Sequence, residues 1–352
     1  MDSLNKSVMK LNEILAAALL LVVVNSCSSY YYVVTDVNKD LSVDRTVYLE
    51  TSDRSSETGF VSGDIWKESA VDIPFEVNFY DRTVTMGKIC RASSDSVGAL
   101  FFTSVEGQED NPLLYPSETV SKRFRWFHTY YDYKAVFKGL DDVLPLAIDD
   151  YLTPQQRSLF FNGQNPPRGW NGVEMYYLLD DLNRKFVSWY SDAVFYVHCD
   201  MFKNYCSDRQ RVILDKCKED FMKGMDLDIV FVMEPDDFVA RLAEIRPEAG
   251  FGDVYLANAA ALAEEYEDAA RLLSCFEYSF IHTVKLPGRY YDGNAADFID
   301  GMPSWKVDAF RLLDGDFVLE AVSRKVNIWA FLLTFVLIAL LLQPFAKVFA
   351  RK

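Results

Sequence analysis

Side chains able to do acid–base, metal or nucleophilic chemistry are few or badly spaced in this 352-residue chain. Only 3 His are present, which leaves little room for imidazole catalysis. His198 is followed at the third and fourth positions by Met201 and Phe202, which cannot complete a helical metal site. His128 sits in an aromatic stretch and His282 in a strand-like one, and each reads as a half-buried imidazole before a general base. Carboxylates adjoin at Asp149-Asp150, Asp180-Asp181, Asp236-Asp237 and Glu264-Glu265. Glycosidase chemistry needs two carboxyls facing across a cleft, about 5–10 Å apart. Neighbours along a helix point in different directions, so helix N-termini and solvated faces explain these pairs better. The sequence has no Gly-x-Ser-x-Gly elbow, phosphate loop or Cys-x-x-Cys. No catalytic residue, metal or cofactor is expected. In Lys122–Phe137, Phe124, Trp126, His128 and Tyr130 recur at period two, which predicts one long half-buried strand. Its stripe reads as core first and as a ligand-binding wall second.

Each end of the chain carries an apolar run. Ile14–Val24, about 11 residues, has the length of a signal-peptide core and is too short to span comfortably. Ile328–Leu342 contains no charge, and Phe345 and Ala346 extend it past Gln343 and Pro344. About 19 residues at 1.5 Å each give about 28 Å, enough for the hydrocarbon core. Trp329 suits the interface, and Lys347, Arg351 and Lys352 follow. By the positive-inside rule this tail is cytoplasmic and the rest exported, although Arg324 and Lys325 on the other flank weaken the asymmetry.

The net charge is −16, and setting aside the three positive charges of the tail leaves −19. Such a field repels nucleic acid and anionic lipid headgroups, though its plainest meaning is solubility. Roughly 300 residues between the apolar runs can bury a sizeable core. Six Cys are present. With Cys27 set aside, Cys90, Cys199, Cys206, Cys217 and Cys275 are odd in number, so at least one is a thiol. Cys206–Cys217 or Cys217–Cys275 could pair between helices, and buried thiols are an equal alternative.

Strand patterns cover Tyr30–Val37, Val43–Ser52, Phe75–Tyr80, Thr83–Ala92 and Ala99–Val105, with a Ser-, Asp- and Gly-rich loop over residues 53–70. After Leu140 the texture turns helical. Thr153-Pro154 starts one helix. Leu179, Leu182, Phe186, Trp189 and Tyr190 mark the buried face of a long stretch over residues 173–223, and Pro235 starts another helix. A further helix over Asp253–Cys275 is expected to bury Leu256, Ala260, Leu262 and Tyr266. Strands return at Tyr278–Leu286, Ser304–Leu312 and Phe317–Val326. The pattern predicts an α+β fold: one membrane-proximal sheet built from both chain ends (residues 27–139 and 276–326) and an inserted helical subdomain (140–275). A signal peptide (1–26), a transmembrane helix (327–346) and a short tail (347–352) complete the chain. The terminal strands adjoin the apolar runs, so both ends of the sheet are expected at the bilayer, with the sheet flat upon it.

Three resemblances add to this. Val24-Asn25-Ser26-Cys27 resembles a bacterial lipobox, which implies cleavage before Cys27 and a lipid on it; Asn25 departs from the usual small or aliphatic residue. Ser279–Val284, Leu286-Pro287-Gly288, Asn294-Ala295, Trp305–Asp308 and Ser323–Trp329 resemble the LppM-like membrane-anchored lipoprotein domain, over about 50 residues. That family implies a β-rich exported domain associated with lipid or envelope-glycolipid binding. Ser26–Tyr30, Lys122–Phe137 and Tyr151-Leu152-Thr153 are similar to exported lipoproteins of the Bacteroides group. The expectation is a non-catalytic bacterial inner-membrane lipoprotein, mostly periplasmic, that binds an envelope lipid, glycan or partner protein at the bilayer. An envelope hydrolase using Asp and Glu, and a scaffold subunit of a membrane complex, are the alternatives.

Overall fold

The computed structural model describes residues 29–50, 65–79, 83–102, 111–141, 144–161, 172–225 and 233–349. Cys27 and the apolar run 14–24 lie outside them. The fold is mixed α+β, with two sheets rather than the single one expected. The large sheet joins β1 (Ser29–Val37), β2 (Val43–Glu50), β3 (Lys67–Asn78), β4 (Thr83–Ser94), β7 (Tyr278–Lys285), β9 (Asp297–Ile299) and β10 (Met302–Asp308), in the order β3-β4-β2-β1-β7-β10-β9. The small sheet joins β5 (Ser117–Phe124), β6 (His128–Phe137), β8 (Arg289–Gly293) and β11 (Phe317–Val326), in the order β5-β6-β11-β8. Each sheet draws strands from both ends of the chain, but the terminal strands β1 and β11 are in different sheets.

β1 is central and buried on both faces, as its unbroken Tyr-Tyr-Tyr-Val-Val run requires. It pairs antiparallel with β2 through a turn in which the Asp40 carboxylate accepts from Ser42 N and Oγ at 3.2 and 2.7 Å. On its other side it pairs parallel with β7, Ser29 opposite Tyr278 and Asp36 opposite Lys285. Tyr31, Val33 and Phe280 face the main core with Tyr133, Phe137 and Leu319 of the small sheet, and Tyr30, Tyr32 and Ile281 face a second core under Phe79 and Met86.

The helices α1 (Pro154–Phe160), α2 (Gly172–Lys203), α3 (Asp208–Leu214), α4 (Lys218–Met222), α5 (Pro235–Ile245) and α6 (Phe251–Ser274) all fall between β6 and β7. Thr153 caps α1 in a box with Gln156, and Pro154 opens it. Leu182, Phe186 and Trp189 are fully buried. Phe186 and Phe276 meet Phe310 of the β10–β11 connection at 5.4 and 5.0 Å, and Leu140 N donates to Leu312 O. The helices therefore sit at the pole where β6 ends and β11 begins. At the other pole β11 runs through Asn327 into α7 (Ile328–Phe349). The Ser29 end of β1 adjoins Tyr278, two residues after Phe276, so it belongs to the helical pole. Nine residues of strand span about 30 Å. The two ends of the β part thus leave from opposite poles, and β11 points from the helices toward α7 instead of lying across that line.

Other expectations are corrected. The long strand over residues 122–137 is two strands and a turn: Arg125 N donates to His128 O at 2.7 Å, and His128 N returns to Arg125 O at 3.1 Å. Residues 67–70 belong to β3, Ala99–Phe102 carry no strand, and Ala309–Leu312 form a 3-10 turn. Leu256 of α6 is 77% exposed, because Phe251, Leu262 and Leu273 set the buried face instead. Among the described residues no helix is long and apolar enough to cross a membrane; the described side chains of α7 end at residue 343.

Between the sheets lies a buried ionic cluster. Arg45 of β2 donates to Thr35 Oγ1 at 3.1 Å, Leu100 O at 2.8 Å and Glu118 Oε2 of β5 at 2.6 Å. Tyr133 Oη donates to the same carboxylate at 2.7 Å. His282 packs beside it among Phe102, Phe137 and Phe280. Burial, and then the Arg45 charge, push His282 down to about 3. The unfolded imidazole titrates near about 6.5. Stability is therefore full above that pH and falls as pH drops toward 3, because the unfolded chain takes the proton first. Between pH 7 and pH 5 the loss from this residue is about 2 kcal/mol. Urea melts of wild type and His282→Leu at both pH values check this: the variant should lose about 2 kcal/mol less, and equal losses would contradict it.

Candidate functional site

The aromatic residues singled out in the sequence, Phe124, Trp126, His128 and Tyr130, do come together, but not as one strand face. Phe124 ends β5, Trp126 and Phe127 form the hairpin tip, and His128 and Tyr130 start β6. The tip lies along the first two turns of α7. Phe124 stacks on Trp329 at 6.2 Å with 6° between rings, and Trp126 meets Trp329 edge-on at 5.5 Å. Phe127 packs on Phe331 at 4.5 Å, and His128 reaches the same ring at 6.5 Å. Trp126 Nε1 donates to Thr334 Oγ1 at 2.7 Å.

Asn327 fixes this junction. Its backbone N donates to Phe127 O at 2.9 Å, and its Nδ2 donates to Arg125 O and Trp126 O at 2.9 and 3.3 Å. Its Oδ1 accepts from Thr129 Oγ1 at 3.0 Å. Asn at the position before a helix commonly caps it; here its amide binds the hairpin instead. Asn327→Ala removes these side-chain bonds at an expected local cost of about 1–3 kcal/mol. Arg125 is exposed, so trypsin should cut after it faster in the variant. An unchanged rate would deny Asn327 this role.

Cations ring the junction. On the outer face of the small sheet, Arg123, Tyr130, Arg324 and Arg289 are successive cross-strand neighbours. Arg123 lies 5.7 Å from the Tyr130 ring and is held by Asp132 at 2.9 and 2.6 Å. Arg324 lies 4.8 Å from the Tyr291 ring, which meets Tyr130 edge-on at 5.6 Å. On the inner face, Lys122 Nζ donates to Lys39 O at 2.8 Å, and Lys325 stands beside Lys39. The arrangement can grip something apolar and anionic; it has no paired acid and base.

The remaining sequence candidates have structural roles. Asp149 pairs with Arg157, Asp180 with Arg184, Asp181 with Lys185 and Gln156, and Glu265 accepts from Tyr205. Asp236 and Asp237 occupy the first turn of α5. His198 Nδ1 is 2.9 Å from Val194 O, and burial holds its pKa below the ordinary value. The five described cysteines are buried, with no disulfide among them. Burial pushes Cys206 up to about 11 and Cys275 up to about 12, so neither is a nucleophile at neutral pH. Among the described residues no group of three or more His, Cys, Asp or Glu could hold a metal ion.

Sequence reasoning missed Phe127, Asn327, Arg289 and Tyr291. The turn Arg125-Trp126-Phe127-His128 contains no Gly, Asn or Pro to mark it, and β8 is only 5 residues long. Compared with protein families, curated proteins and solved structures, the chain matches none.

Proposed function

We propose that the chain is a membrane-anchored, non-catalytic protein of the bacterial envelope. α7 spans the bilayer, the β5–β6 tip sits at its surface, and the domain binds an envelope lipid, glycan or partner protein there. The observation that carries this is the state of α7. Apolar side chains are exposed all around it, with Ile328, Phe335 and Leu341 each about 70% exposed. A helix apolar on every side is stable only inside a protein core or in lipid. Its described side chains cover residues 328–343, about 24 Å, and the apolar run continues in the sequence to Phe345 and Ala346. Aromatic rings and cations gathered at its first turns have the composition of a membrane interface. The likeness to the LppM-like domain points to the same lipid-associated role.

The exported orientation rests on the N-terminal apolar run and on the basic residues Lys347, Arg351 and Lys352 after α7. A second reading, with the domain on the cytoplasmic side, is favoured by the cation ring at the domain end of α7 and by buried thiols without disulfides. Trypsin added to intact spheroplasts separates them: digestion of the domain supports export, and protection supports the reverse. Membrane anchoring itself is tested by sodium carbonate extraction of cell membranes. Full-length protein should stay in the pellet; its release would overturn the proposal.

A further inference from the structure

The α7 pole is basic in a chain of net charge −16. Lys122 and Lys325 are two residues apart in register on the inner face of the small sheet, opposite Tyr131 and Thr129. Lys122 Nζ donates to the backbone carbonyl of Lys39, which brings the β1–β2 turn of the large sheet beside them. None of the three lies within ion-pair distance of a described carboxylate, and the same holds for Arg289 and Arg324. The acids of this pole have partners of their own: Asp36 with Lys285, Asp132 with Arg123, and Asp44 with Asn38 and Ser93, while Asp40 bonds Ser42 and also feels the Lys122 charge without pairing with it. Asp292 bonds the next backbone N–H.

We propose that this pole binds anionic phospholipid headgroups. Lys39, Lys122 and Lys325 at the mouth between the sheets, with Arg289 and Arg324 on the outer face, receive the lipid phosphates around the emerging helix. Lys39, Lys122 and Lys325 converge on this mouth, and like charges gathered there repel one another until an anion joins them. Contact with Lys39, with Lys122 close by, already holds the Lys325 ammonium below the ordinary lysine range. The cations adjoin the Phe124–Trp329 stack, so phosphate and acyl chain would meet matching surfaces at neighbouring depths. The overall negative charge, expected to repel such lipids, is therefore overruled locally, since screening confines each field to about 8–10 Å.

This inference rests on the membrane reading, and one experiment separates the two. Full-length protein is reconstituted into mixed phosphatidylcholine–phosphatidylglycerol vesicles and re-extracted in mild detergent. Its bound lipids are then counted by native mass spectrometry, alongside carbonate extraction of the same vesicles. Each surface cation contributes about fivefold in affinity for an anionic surface. Wild type should be enriched in phosphatidylglycerol by about tenfold or more over the vesicle ratio. K39Q/K122Q/K325Q should lose most of that enrichment while staying in the carbonate pellet, and the triple Lys→Arg variant should keep it. Bound lipids in vesicle proportion, with wild type still in the pellet, would overturn the headgroup site alone. Release of wild type by carbonate would overturn the membrane reading beneath it.

Discussion

Replacing Arg45 with Met is expected to cost about 3–5 kcal/mol of folding stability. The Arg45 side chain is 0% exposed and that of Glu118 4%. Burial works against the guanidinium charge, yet the Glu118 carboxylate beside it holds its pKa above the usual value. Removing Arg45 alone leaves Glu118 buried against the Tyr133 hydroxyl as a charge without a counterion. Removing both charges is a different matter, because an apolar pair of similar volume is often neutral or stabilising. Arg45→Met with Glu118→Leu should therefore recover most of the loss. Urea denaturation of the three proteins checks this, and a single-variant loss below about 1 kcal/mol would show that the cluster is solvated in solution.

The second large effect is expected at α7. Leu337→Arg places a charge near the middle of the helix, at an insertion cost of about 2.5–3.5 kcal/mol. That is roughly a hundredfold shift away from the inserted state. The variant should move substantially from the carbonate pellet to the supernatant, while the domain, with its Arg45–Glu118 cluster intact between the sheets, keeps the wild-type urea midpoint. Retention identical to wild type would mean that α7 is covered by protein rather than by lipid.

Much of the fold was legible because it rests on short-range pattern. The β1–β2 hairpin, the capped start at Thr153-Pro154 and the Leu182–Phe186–Trp189 face each follow from neighbours within a few residues. What could not be read is what depends on pairing across the chain. Two sheets and one sheet give the same alternation in each strand, and only partner choice separates them. The aromatic stripe was half visible. Phe124, Trp126, His128 and Tyr130 were found by type, but a turn without turn residues hid the hairpin. Their partners Trp329 and Phe331 are some 200 residues away, the separation that the Trp126–Thr334 bond spans.

The opposite poles also bear on Cys27. With α7 upright in the bilayer, Ser29 stands about 30 Å from the helix end. A lipid on Cys27 would then reach the same leaflet only if the domain tilted over or the strand start came loose. Mass spectrometry of the mature N-terminus settles whether that lipid is present.

The parallel pairing of β1 with β7 also imposes a schedule on synthesis. Asp36 and Lys285, joined at the end of that pairing, are 249 residues apart. At 5–20 residues per second, a ribosome needs roughly 12–50 s to supply the second strand after the first. Through that interval β1, three tyrosines and two valines in a row, has its β2 edge covered and its β7 edge open. An open edge of that composition is a template for pairing with another chain. The nascent protein is thus most exposed to aggregation before its helical block is complete, and a holding chaperone would have one well-defined strand edge to cover.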